Sequence, residues 1–166
     1  TAAFGAQTTE AAVFTDESSD AYAFNTAYTG DNYGVSVTYG VVETSTTNED
    51  TYTAFNAYYL PEGSNLPSIS VGYEMGDIGG AAATADEKTS FMVGLSWDEV
   101  GPGSAGIALG HSSTVEGSDE EYQYEAYYSY PINDGMTITP LIYSKDNVTS
   151  GADDTTGVMV KTSFSF

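Results

Sequence analysis

From residue 33 to residue 41 the chain alternates without a break. Tyr33, Val35, Val37, Tyr39 and Val41 take one parity, and Gly34, Ser36, Thr38 and Gly40 take the other. The pattern recurs with Ile69, Val71, Tyr73 and Met75 against Ser68, Ser70, Gly72, Glu74 and Gly76. It recurs again with Phe91, Val93, Leu95 and Trp97 against Ser90, Met92, Gly94 and Ser96. In the last stretch Val158, Val160, Thr162, Phe164 and Phe166 oppose Met159, Lys161, Ser163 and Ser165. One apolar face and one small or polar face is the period-2 signature of a strand with two unlike sides. Turn-rich breaks divide the chain into ten predicted strands: 2–12, 20–29, 33–44, 51–60, 67–77, 88–97, 104–112, 121–130, 135–145 and 155–166. These are long, close to the ~9–11 residues a tilted membrane strand needs, whereas soluble strands average ~5–6. Two read less cleanly. Strand 51–60 has apolar residues at both parities, and Pro140 predicts a bulge or local break because proline cannot donate to a ladder.

The breaks alternate between short (29–32, 61–66, 98–103, 131–134) and long (13–19, 45–50, 78–87, 113–120, 146–154). Short turns on one side and long loops on the other are the habit of a membrane barrel. Asp16, Glu17, Glu49, Asp50, Asp86, Glu87, Glu116, Asp119, Glu120, Asp146, Asp153 and Asp154 fall in the long set. Aromatics gather at strand ends, with Tyr28, Tyr33, Tyr59, Trp97, Tyr130, Phe164 and Phe166 on the short-turn side. Tyr73, Phe91, Tyr122, Tyr124 and Tyr143 gather on the other. Two such girdles around an apolar band predict interfacial anchoring.

Composition narrows the function classes. The 166 residues carry 24 acids against three bases, all lysine, for a formal net charge of −21. That excludes nucleic acid as a partner, because phosphate binding needs a basic face. With 14 Tyr, 7 Phe and 1 Trp the acidity does not read as disorder. No Cys is present, so thiolate sites and disulfides are excluded. No run approaches the ~18 apolar residues of a membrane helix, so only strands could cross a bilayer. The chain opens at Thr1 without Met or a charged-then-apolar leader, which reads as a removed signal peptide or a piece of a longer chain.

Catalytic chemistry finds no foothold. The single His111 cannot build a triad or a histidine metal cluster, and it reads as an interfacial or solvated side chain. The stretch GPGSAG at 101–106 lacks the Lys-Ser/Thr of a phosphate loop, and SKDNVTSGADDTTG does not space its oxygens as an EF-hand does. Asn147-Val148-Thr149 fits the glycosylation pattern only as a short, weak match. No cofactor, no metal and no enzymatic activity are expected.

EAYYSYPINDGMTITPLIYSKDN followed by DDTTGVMVKTSFSF resembles the end of cyanobacterial outer-membrane porins, members of the carbohydrate-selective porin superfamily. LPSISVGYE at 66–74, SFMVGLSWDEVGPGSAGIALG at 90–110 and NYGVSVTYG at 32–40 are similar to the same group. The resemblance implies a transmembrane, antiparallel, up-and-down β-barrel of about sixteen strands, trimeric, with a passive channel. Residues 1–166 would be the C-terminal part of that single barrel domain, without the periplasmic peptidoglycan-anchoring domain and the first third of the barrel. Phe166, closing a strand of alternating apolar residues, looks like the assembly signal of such barrels. No sugar-binding motif transfers residue by residue, and this branch implies small inorganic ions and nutrients.

The expectation is therefore an all-β outer-membrane porin forming a passive diffusion channel for small hydrophilic solutes and ions. Its partners would be outer-membrane lipid and two further copies in a homotrimer. The remaining strands of the barrel, or another chain, would pair at the first-strand edge near Phe4. Parity places Glu74, Glu121, Gln123, Glu125 and Lys161 on the pore-lining face, three carboxylates against one ammonium. The alternatives are a surface-exposed structural or adhesive β-protein with acidic, Ca²⁺-binding loops, and a soluble secreted sandwich.

Overall fold

The computed structural model describes residues 1–7, 20–45, 48–62, 65–80, 85–149 and 151–165. Ten strands follow one another: β1 (Ala2–Gln7), β2 (Ala21–Thr29), β3 (Tyr33–Ser45), β4 (Asn48–Tyr59), β5 (Ser68–Asp77), β6 (Glu87–Val100), β7 (Gly103–Val115), β8 (Tyr122–Asn133), β9 (Met136–Lys145) and β10 (Thr155–Phe164). They form one antiparallel sheet in chain order, every strand hydrogen-bonded to its sequence neighbours. No helix occurs among the described residues. The sheet is open: β1 pairs only with β2, and β10 only with β9. From β2 onward the strands run 9 to 14 residues, longer than a soluble sheet needs.

Register carries each apolar row across the whole sheet. Val35 sits opposite Ala57, which sits opposite Val71, then Val93, then Leu109. The other parity lines up Ser36, Asn56, Gly72, Met92 and Gly110. The sheet therefore has one apolar face and one polar face, as alternation predicts.

Their exposure is inverted relative to a water-soluble sheet. Along β5 the apolar Ile69, Val71, Tyr73 and Met75 are exposed, while Ser68, Ser70, Gly72 and Glu74 are half-buried and Gly76 is buried. On the apolar face Val35, Val37, Val71, Val93, Ile107, Leu109, Val158 and Val160 are exposed, from 36% at Leu109 to 80% at Val158, and Leu95 is half-buried. Val41 is the one buried apolar side chain among the described residues. Among the described residues no second layer covers the apolar face, and they form no core of the kind that normally stabilises a domain in water.

Three expectations need correction. The connection at 45–50 is short, because β3 runs to Ser45 and β4 starts at Asn48. The connection after β4 occupies residues 60–67, so loop length alternates less strictly than the turn residues imply. Glu49, Asp50 and Glu87 accordingly lie in strands rather than loops. The local break expected at Pro140 is present, without a bulge: Tyr127 faces Leu141 and Tyr130 faces Ile138 in one unshifted register. The ladder skips only the two positions between them, where Thr139 Oγ1 donates to Ser129 Oγ at 3.1 Å instead. Proline's missing N–H thus falls toward β8, while Pro140 still pairs with Val160 of β10. The register shifts lie elsewhere, at Glu43/Ser45, Thr89/Phe91, Trp97/Val100 and Pro131/Asn133. Residues 8–12 of strand 2–12 and the whole of loop 13–19, with Asp16 and Glu17, lie outside the described residues, as does Phe166.

Candidate functional site

The polar face holds every candidate that parity nominates. Glu74 on β5 sits between Ala54 and Ser90, and Lys161 on β10 faces Thr139. Gln123 and Glu125 occupy alternate positions of β8, opposite Gly110 and Ala108. Glu121 immediately precedes that strand and takes the same parity. They are spread rather than gathered. Glu74 and Glu125 are three strands apart and four residues out of row, because Glu125 lies in the row of Ala108, Gly94 and Ser70, roughly 20 Å in all at the usual strand spacing and rise.

The parity reading leaves out Asp50, which precedes the predicted strand 51–60, and also Lys88 and Lys145, which stand at the ends of the predicted strands 88–97 and 135–145. Lys88 lies in one row with Gly76 and Tyr52. Because Gly76 has no side chain, the Lys88 stem crosses β5 and its Nζ donates to Tyr52 Oη at 2.7 Å and Asp50 Oδ2 at 3.2 Å. The ammonium also stands 4.4 Å from the centroid of the Tyr52 ring. Asp50 Oδ1 accepts the Gly79 N–H at 3.1 Å, which ties the start of the β5–β6 connection to β4. Both charged side chains are well shielded, at 15% and 12% exposure. Lys145, ending β9, meets Glu121 at 2.9 Å in a more open pair, 47% and 27% exposed. All three lysines of the chain therefore stand on the polar face, two of them paired. Glu74, Glu125 and Lys161 form no ion pair among the described residues.

Four tyrosines share this face, and each lies against a glycine of the neighbouring strand. Tyr58 covers Gly34, Tyr127 covers Gly106, Tyr143 covers Gly157, and Tyr52 covers Gly76. A Cβ at Gly34, Gly106 or Gly157 would overlap the facing ring. This explains why strand 51–60 has apolar residues at both parities: Phe55 and Tyr59 face one way, Tyr52 and Tyr58 fold down over glycines on the other. The glycines keep the wall low, and the flat rings replace the packing that glycine removes. Tyr143 thereby leaves the girdle assigned to it, since it points to the polar face.

Most of the other described aromatics stand on the apolar face, and several of them pair near the strand ends. Tyr28 and Tyr33 lie 5.8 Å apart by ring centroid at the short-turn end, where Tyr128 and Tyr130 make a second pair at 6.5 Å. At the other end Phe91 meets His111 edge-on at 4.9 Å, and His111 meets Tyr122 at 5.8 Å. His111 is buried in this group, not solvated, and its Nδ1 donates to the Ser112 carbonyl at 2.8 Å. Tyr122 donates its hydroxyl to Glu120.

Charge is polarised along the strands. Only Asp31, Glu62, Asp98, Glu99 and Asp134 sit at the short-turn end, and the other described acids lie at or toward the opposite end. Among the described residues no group of three or more His, Asp or Glu converges at metal-binding distance. Comparison with family models, curated proteins and solved structures gives no match.

Proposed function

We propose that this chain is part of an outer-membrane porin, its ten strands forming a section of a β-barrel wall around a passive, weakly cation-selective channel. The observation that carries the reading is the inverted burial. An apolar face continuous over ten strands, with Val41 the one buried apolar side chain among the described residues, far exceeds the few hundred Å² that a soluble monomer leaves uncovered. Hydrocarbon is the solvent that makes such a face favourable, and a polar face turned to water then becomes the inside of a pore. Aromatics at both ends of the apolar face suit the two bilayer interfaces. The resemblance to cyanobacterial porins noted in the sequence points the same way.

An open sheet cannot stay in lipid, because unpaired edge N–H and C=O groups have no water to bond. Val158 and Val160 on β10 are 80% and 65% exposed and Phe4 on β1 is 62%, against 40% for the interior Val71. Those edges are where further strands of the barrel join, from the rest of a longer chain or from another chain. Homotrimers would then assemble through part of the apolar face.

Selectivity follows from the groups left uncompensated on the wall, two carboxylates against one ammonium, and from the acidic end, which forms the outer mouth. A low-dielectric wall focuses that field and raises cation concentration at the entrance. Insertion of the detergent-purified protein into a planar bilayer tests the reading. Stepwise conductance with a reversal potential toward the cation in a KCl gradient supports it, with a preference that weakens as salt rises because the Debye length is ~10 Å at 0.1 M. A protein that stays monodisperse without detergent and adds no conductance would refute it.

A further inference from the structure

The lysines of the polar face do unequal work. Lys88 is held under Tyr52, shielded from solvent with its carboxylate and tied by Asp50 to Gly79. Lys145 pairs with Glu121 through a single 2.9 Å contact, and nearly half of its side chain is exposed. Its place in the fold is a rim. It ends β9 opposite Gln123, and Asp146 N donates to Tyr122 O just beyond it at 2.8 Å. Glu120, Asp146, Asp153 and Asp154 crowd the same end. A solute crossing that rim meets the acidic mouth first and the Glu121–Lys145 pair next.

We infer that Lys145 is the residue that tempers the selectivity of the channel, by cancelling Glu121 at the inner edge of the acidic mouth, whereas Lys88 is structural and leaves selectivity alone. This rests on the channel reading above. The physical distinction is exposure. A shielded, compensated pair presents only a weak dipole to a passing ion, so deleting Lys88 exposes little new field and instead loosens the Gly79 connection. An open pair is neutral only while both partners are present. Removing either one leaves a full charge within an ion's reach. One unit charge at about 10 Å in water, screened by the ~30 Å Debye length of 10 mM salt, changes local ion concentration about 1.5-fold. Cations and anions respond oppositely, so the permeability ratio changes about twofold.

The experiment is reversal potential in a tenfold KCl gradient at low salt, for the wild type, K145Q, E121Q, the E121Q/K145Q double variant and K88M. K145Q should raise the cation-to-anion permeability ratio about twofold, E121Q should lower it by a similar factor, and the double variant should return to the wild-type value. K88M, where it inserts, should keep the wild-type ratio. The return in the double variant is the signature a merely structural pair would not give. Should K145Q fail to insert, E121Q carries the test: an unchanged ratio overturns the inference. Single variants that conduct with unchanged ratios overturn it too, as does a double variant that stays shifted or a K88M shift as large as that of K145Q. Wild-type protein that never conducts overturns the channel reading itself, an outcome separate from these.

Discussion

Met92 and Val93 are chain neighbours that point to opposite faces of β6, and both are exposed, at 48% and 37%. Lysine at each position therefore asks the same question of two solvents. Val93 is the seventh of the 14 residues of β6, near mid-height, with Val71 and Leu109 beside it in register. If that face lies in hydrocarbon, Val93→Lys costs about 2–4 kcal/mol, as charges do at a bilayer midplane. A central value of about 3 kcal/mol lowers the folding equilibrium roughly 150-fold. If the face lies in water, an exposed valine gives up little: about 0.5 kcal/mol for an ordinary surface change, and at most ~1 with strand propensity. Met92→Lys is the internal control. Its neighbours are Gly72 and Gly110, which leave room for a longer side chain on a watered wall, and its cost should stay within about 1 kcal/mol. Urea titration in lipid vesicles reads both, with the fluorescence of Trp97, the single tryptophan, as the probe. A Val93→Lys penalty under about 1 kcal/mol, or one no larger than that of Met92→Lys, would refute the assignment of the apolar face to lipid.

Gly106→Ala should destabilise by about 1–3 kcal/mol through overpacking against the Tyr127 ring, and Gly106→Ala with Tyr127→Ala should cost less than the two summed, as read by urea unfolding in micelles. Asp50→Ala leaves the Gly79 N–H without its acceptor and Lys88 without its counter-charge, with only the Tyr52 hydroxyl to accept, for a loss of about 2 kcal/mol that Asp50→Ala/Lys88→Met should partly restore; a loss that raised salt abolishes would contradict the shielding. Breaking Lys145–Glu121 should cost no more than about 1 kcal/mol by the same titration, because that pair is open to solvent. Amide hydrogen exchange should be slowest in β5 and β6, which have two neighbours each, and fastest in β1 and β10; protection of β10 equal to β6 in the isolated chain would mean that its edge is paired.

Alternation determined most of the fold before any coordinate was known. A period of two is a local property, so residues 33–41, 67–77 and 90–97 declare both that they are strands and which residues share a side. Tight turns between them leave an antiparallel meander as the simplest path. Parity also placed Glu74, Gln123, Glu125 and Lys161 on one face, and the structure does the same.

What the sequence left unsaid depends on which residues face each other across strands, and that is decided only by register. Asn48-Glu49-Asp50 reads as a polar loop because two adjacent acids have no local reason to enter a strand. The structure draws them into β4, where Asp50 finds Lys88, 38 residues further on. Lys88 can reach it only because Gly76 lies between them, an arrangement no single segment announces. Tyr58 and Tyr143 look like girdle aromatics or pattern errors until Gly34 and Gly157 arrive opposite them. Parity along the predicted strand 135–145 already gives Lys145 the face of Tyr143, but whether it is a free cation or the partner of Glu121 was settled by the pairing of β8 with β9. Spacing along a chain fixes the face a side chain takes. Its partner on that face depends on how far each strand slides against the next.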